Sequence, residues 1–109
     1  KRIVMKIYQV NTTTDNKEIA TNIAELLVNG GLSPCVQIHD SIMSIYKWKD
    51  NIQRESEYLL TIKVNGEMIY DVKRLIMENH NYDTPELIIT KSEIISDGYA
   101  QWFTEYYSQ

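Results

Sequence analysis

Apolar positions alternate with polar ones in parts of this chain and recur every three or four residues in others. The changes of period divide it into segments. Residues 3–11 carry Ile3, Val4, Ile7, Tyr8 and Val10 and run into the polar triplet Thr12, Thr13 and Thr14, which predicts a first strand ending there. From residue 15 the period lengthens. Ile19, Ile23, Leu26 and Leu27 fall at helical spacing, Asp15 and Glu18 have the spacing of a capping box, and Gly30 with Gly31 supplies a stop, so a helix is expected over residues 15–29.

Pro34 opens an extended stretch through Val36, Ile38, Ile42, Ile45, Tyr46 and Trp48 to residue 49, long enough to predict a bend or bulge. Asp50 and Asn51 read as a turn. Residues 52–64 form a second long strand with Tyr58, Leu60, Ile62 and Val64 on one face, and the pair predicts a hairpin whose tip, near residues 46–55, projects beyond the domain. Met68, Ile69, Val72, Leu75 and Ile76 predict a helix over residues 67–79. Residues 80–85 are a loop, Pro85 leads into a short strand at Leu87, Ile88 and Ile89, and Ser96 with Asp97 caps a last helix bearing Tyr99, Trp102, Phe103 and Tyr106. The order is βαββαβ plus a C-terminal helix: an α+β, ferredoxin-like sandwich with a long central hairpin, in one domain over residues 1–109.

The long strands are apolar on both faces, Leu59 against Tyr58 and Leu60, Ile45 against Tyr46. Two helices cover one face of a sheet. A partner subunit is therefore expected on the other, with Tyr46, Trp48 and Tyr58 as interface aromatics.

Composition narrows the function. A formal net charge of −4 without a basic cluster argues against nucleic acid and against anionic membranes. No run is apolar and long enough to span a bilayer. A single cysteine, Cys35, permits no internal disulfide and suits a reducing, cytoplasmic setting. No Gly-rich phosphate loop, Cys-x-x-Cys or His-x-x-x-His is present, and no enzyme active site is legible.

Several blocks then acquire a joint meaning: Pro34-Cys35-Val36-Gln37, Ser44-Ile45-Tyr46-Lys47-Trp48-Lys49, Glu55 to Lys63, His80-Asn81-Tyr82-Asp83-Thr84-Pro85-Glu86, and Gly98-Tyr99 with Trp102. In order and spacing they resemble the CutA divalent-cation-tolerance family over about residues 3–107. The resemblance implies a ferredoxin-like fold in a PII-like homotrimer, and a link to tolerance of divalent metals, chiefly copper. The chain departs from the family pattern at Asn81 and Asp83, where Pro and Glu are usual, at Lys47 between the two aromatics, and at Gln37.

For metal, the candidates are Cys35, a soft ligand for copper or zinc, with His80 and Glu86. His39 shares a strand face with Cys35 but lies about 13 Å away at four residues' separation. Copper or another divalent ion is the expected cofactor. A second reading is a PII-like signalling trimer holding a small anionic ligand in the cleft between subunits, through Lys63, Tyr82, Asp83, Glu57 and Glu86, with output to an unknown partner protein at the hairpin tips. A third is a structural trimer that anchors another protein.

Overall fold

The computed structural model describes residues 4–109, so the expected start of the first strand at Ile3 lies outside the described residues. Strand β1 is Met5–Thr14, helix α1 Lys17–Asn29, β2 Cys35–Trp48, β3 Asn51–Val64, α2 Ile69–Asn79, β4 Ile88–Ile94 and α3 Asp97–Tyr107. A single 3₁₀ turn, Gly66–Met68, precedes α2. The four strands form one sheet in the order β2-β3-β1-β4 with every neighbour antiparallel, the ferredoxin-like arrangement.

The core follows from the two-residue period of β3. Leu60, Ile62 and Val64 point to one face and are fully buried against Ala20, Ile23 and Leu27 of α1 and Val72 and Ile76 of α2. Tyr58 shares that parity and packs against the same cluster, so it serves this chain's own core and not the surface that carries Tyr46 and Trp48. The opposite face is partly covered from within. Ile7 of β1 and Ile94 of β4 close over Ala100 and Phe103 of α3, a second cluster that covers β1 and β4 and includes no residue of the two long strands. Tyr106 and Tyr107 fasten α3 at its end: their hydroxyls donate to the carbonyls of Val28 (2.7 Å) and Leu32 (2.9 Å). Burial holds the Tyr107 hydroxyl protonated, pushed up to about 12.

Three boundaries differ from expectation. β1 continues through Thr12, Thr13 and Thr14, all buried, because their partners Leu60, Leu59 and Tyr58 extend the ladder with β3. Asn16, not Asp15, caps α1. Its extended backbone lets its side-chain oxygen accept from the Ile19 N–H at 3.0 Å. β4 runs on to Ile94 because β1 pairs with it throughout and Gln9 donates to the Ser92 hydroxyl at 2.8 Å.

The expected hairpin is present and so is its bulge. His39 pairs with Leu59 but Ile42 with Glu57, so β2 carries one extra residue at Asp40–Ser41, and Ser41 takes a left-handed φ of 58°. The extra residue inverts the parity of β2. Cys35 and His39 share the odd face of β3; beyond the bulge it is Ile42, Ser44, Tyr46 and Trp48 that do so, while Met43, Ile45 and Lys47 join Ile52 and Arg54 on the reverse. β1 pairs with β3 only from Tyr58 onward, so the hairpin beyond is a two-stranded ribbon. The turn is Lys49–Asp50, one residue earlier than expected, with φ of 49° and 67°, the two positive values of a type I′ connection.

A left-handed conformation costs a residue with a β-carbon about 1 kcal/mol, and glycine escapes it. Asp50→Gly is expected to raise stability by roughly 0.5–1 kcal/mol, read as a higher urea midpoint with an unchanged slope.

Candidate functional site

Where the hairpin leaves the sheet, the loop after α2 crosses the end of β1 and faces the ribbon. Between them lies an open groove of about 910 Å³. Its carboxylates are Glu55 and Glu57 from β3 and Asp83 and Glu86 from the loop, and its rings are Tyr46, Trp48 and Tyr82. Among the described residues no lysine, arginine or histidine lines it.

The loop is held by polar contacts. His80 ends α2, and its Nε2 lies 2.9 Å from the Thr13 carbonyl oxygen, which can only accept. Its Nδ1 accepts from the backbone N–H of Tyr82 at 3.0 Å. These partners fix the neutral tautomer with the proton on Nε2 and engage both ring nitrogens. Burial pulls the His80 pKa below its ordinary value, outweighing the Thr13 hydrogen bond that acts the other way. Asn81 donates to Asp15 (2.9 Å) and accepts from the Thr14 hydroxyl (2.6 Å), which explains why Asp15 is not the cap.

The Tyr82 hydroxyl donates to Glu57 Oε2 at 2.6 Å. Burial first, then the bond to the Glu57 carboxylate, raises the phenol's pKa well above the usual value. Glu57 is 7% exposed, and among the described residues this is its one hydrogen bond and no basic side chain pairs with it. Tyr46 donates in the same way to Glu55 Oε1 on the neighbouring strand, and that bond pushes its pKa up to about 12.

The groove thus brings together Glu57, Tyr82, Asp83 and Glu86, with Tyr46 and Trp48 as walls. It does not include Lys63, expected in the cleft. Lys63 shares a face with Glu57 but stands six residues along β3, about 20 Å away, with its ammonium 5.7 Å from the Tyr99 ring. Within one chain the groove carries acidic groups, and the cleft between subunits expected to hold an anion is a different place. Cys35 lies beside Lys63 at that far end, half-buried, its N–H bonded to the Ser33 hydroxyl. Cys35, His80 and Glu86 therefore do not form one metal set within a chain, and among the described residues no three His, Cys, Asp or Glu side chains could share an ion. The residues missed by sequence reasoning are Glu55 and Thr13. The parity inversion that sets Tyr46 beside Glu55 and the loop that reaches Thr13 leave no local signal.

The family model described as CutA1 divalent ion tolerance protein matches residues 8–106. The chloroplastic CutA of Arabidopsis thaliana is 34% identical over 85% of this chain and 51% of the relative. The divalent-cation tolerance protein CutA of Thermus thermophilus is 29% identical over 85% of this chain and 90% of the relative. The chain spans about half the length of the plant and human relatives it matches. Among solved structures, CutA1 from Ehrlichia chaffeensis superposes with a TM-score of 0.88 at 29% identity, covering 97% of this chain and 100% of that one.

His80 gives a pH prediction. Its folded pKa lies below the 6.5 of the free side chain, so at acid pH the unfolded chain binds the extra proton. The contribution is complete above pH 6.5 and is lost as pH falls through the folded value. Melting temperature is expected to drop over that window in the wild type, and His80→Leu should flatten this part of the profile.

Proposed function

This chain belongs to the CutA1 divalent ion tolerance family, and from that premise we propose that it is a non-catalytic, self-associating protein whose groove carboxylates meet divalent ions as cargo. The observation that carries the reading is the groove itself, along which four carboxylates are spread with no basic residue among the described ones. Carboxylate oxygens are hard donors suited to hydrated divalent ions. Their dispersal favours a loosely held ion that keeps part of its water over a closed cage. A copper cage of Cys35, His80 and Glu86 is the less favoured version, because both nitrogens of His80 are engaged.

Self-association draws support from the ribbon. Met43, Ile45 and Ile52 on its reverse face are all more than half exposed, beside Lys47 and Arg54. The groove face is acidic and aromatic. Two faces of unlike character favour head-to-tail contact, which closes into rings, and a ring of three is the assembly proposed here. Tyr46 and Trp48, expected as interface anchors, here wall the groove.

Native mass spectrometry should give a trimer for the wild type and a smaller species for Ile52→Glu. Titration with copper(II) and manganese(II) should show binding that weakens about tenfold in the Asp83→Asn/Glu86→Gln double variant, the loss of charge-assisted contacts, and is unchanged in Cys35→Ala. Binding abolished by Cys35→Ala would replace the groove with a thiolate site, and a wild-type monomer would remove the ring.

A further inference from the structure

We propose that a second copy of this chain completes the groove: the reverse face of a neighbour's ribbon seats there with Lys47 and Arg54 against Glu55 and Glu57, so that divalent ions and the neighbour compete for the same carboxylates. This rests on the head-to-tail and cation readings of the groove, and adds that the two are coupled.

The two faces of the ribbon carry opposite charges at matching spacing. On the reverse face the antiparallel register sets Lys47 opposite Ile52 and Arg54 opposite Ile45, so the two cations are diagonal neighbours about 7–8 Å apart. On the groove face Glu55 and Glu57 are two residues apart along β3, about 7 Å. Among the described residues neither Lys47 nor Arg54 forms an ion pair within its own chain, and no basic side chain lines the groove. Two such cations and two carboxylates fit each other across an interface, where complementary charge fixes register and excludes wrong partners.

The apolar surroundings agree. Met43, Ile45 and Ile52 are exposed around the cations, and Tyr46 and Trp48 are exposed beside the carboxylates. Contact between the two sets removes apolar surface from water, and the ring faces attract a guanidinium or ammonium group. The Tyr46 and Tyr82 hydroxyls each donate to one oxygen of Glu55 and Glu57. They hold the carboxylates in place and leave the second oxygens as acceptors for the neighbour's N–H groups.

Linkage follows. A divalent ion held at Glu55 and Glu57 displaces the neighbour's cations, so ions bound there loosen the ring, and ring formation weakens ion binding by the same factor.

The test is sedimentation of the full chain over a concentration series, with ionic strength held constant by sodium chloride. The wild-type ring is expected to persist to about tenfold lower protein concentration than that of Lys47→Gln/Arg54→Gln, the worth of one charge-assisted contact. Both residues are exposed, so this neutral variant is expected to fold. Lys47→Arg/Arg54→Lys, which keeps both charges, should stay within a few-fold of wild type. Manganese(II) in place of sodium at equal ionic strength should raise the concentration at which the wild-type ring dissociates several-fold. The neutral variant should bind manganese(II) several-fold more tightly than the wild-type ring does. A neutral variant whose ring is as tight as wild type, or manganese(II) that binds without loosening the ring, overturns the proposal and leaves both earlier readings standing. A wild-type monomer removes the ring, and a ring that binds no manganese(II) removes the cation reading; this inference falls with either.

Discussion

Strand β3 is hydrogen-bonded on both flanks along its C-terminal half, to β1 and to β2, and the other elements take their positions from that double pairing. Its even positions form the floor on which α1 and α2 rest; Leu60, Ile62 and Val64 retain no exposure. A slip of one residue would turn that floor to solvent, so burial on this face enforces the register. The register in turn sets Glu57 and Glu55 on the opposite parity, at the point where β1 stops pairing. The core therefore fixes where the groove lies, although no groove residue but Thr13 lies within β1.

The loop that completes the groove is built differently. It draws on Thr13, Thr14 and Asp15 at the end of β1 through His80 and Asn81, and on Glu57 through Tyr82. Each such contact contributes a net ~1 kcal/mol. A segment tied by a few polar bonds opens more readily than one packed in the core. Ring contact between His80 and Tyr82, with centroids 4.9 Å apart, couples the titrating group to a wall of the site.

Much of this was legible in the sequence. Helical spacing located α1, α2 and α3, because their buried residues repeat on one stripe, and the length of the two extended runs foretold both hairpin and bulge. Sequence spacing reports the face on which a residue lies, but not its depth along the strand. That is why Lys63 and Glu57, expected to share a cleft between subunits, stand about 20 Å apart within one chain. Tyr58 read as an interface ring because its aromatic character was visible, whereas its packing against this chain's own core cluster was not. Thr12 to Thr14 read as a loop because threonine is polar, yet the ladder to β3 buries them. The groove itself joins three segments, 44–48, 53–57 and 82–86, and only tertiary structure brings them together.

The bulge at Asp40–Ser41 bears on how this chain can change over generations. Because one surplus residue decides whether Tyr46 and Trp48 or Met43 and Ile45 share the face of Glu55 and Glu57, the ribbon should absorb many exchanges of one side chain for another, yet scarcely any gain or loss of a codon between positions 39 and 42. Such an indel would leave composition, charge and hairpin length almost untouched while exchanging the faces of every β2 side chain in the arm against an unchanged β3. Variation in this segment is therefore constrained by count more strictly than by identity.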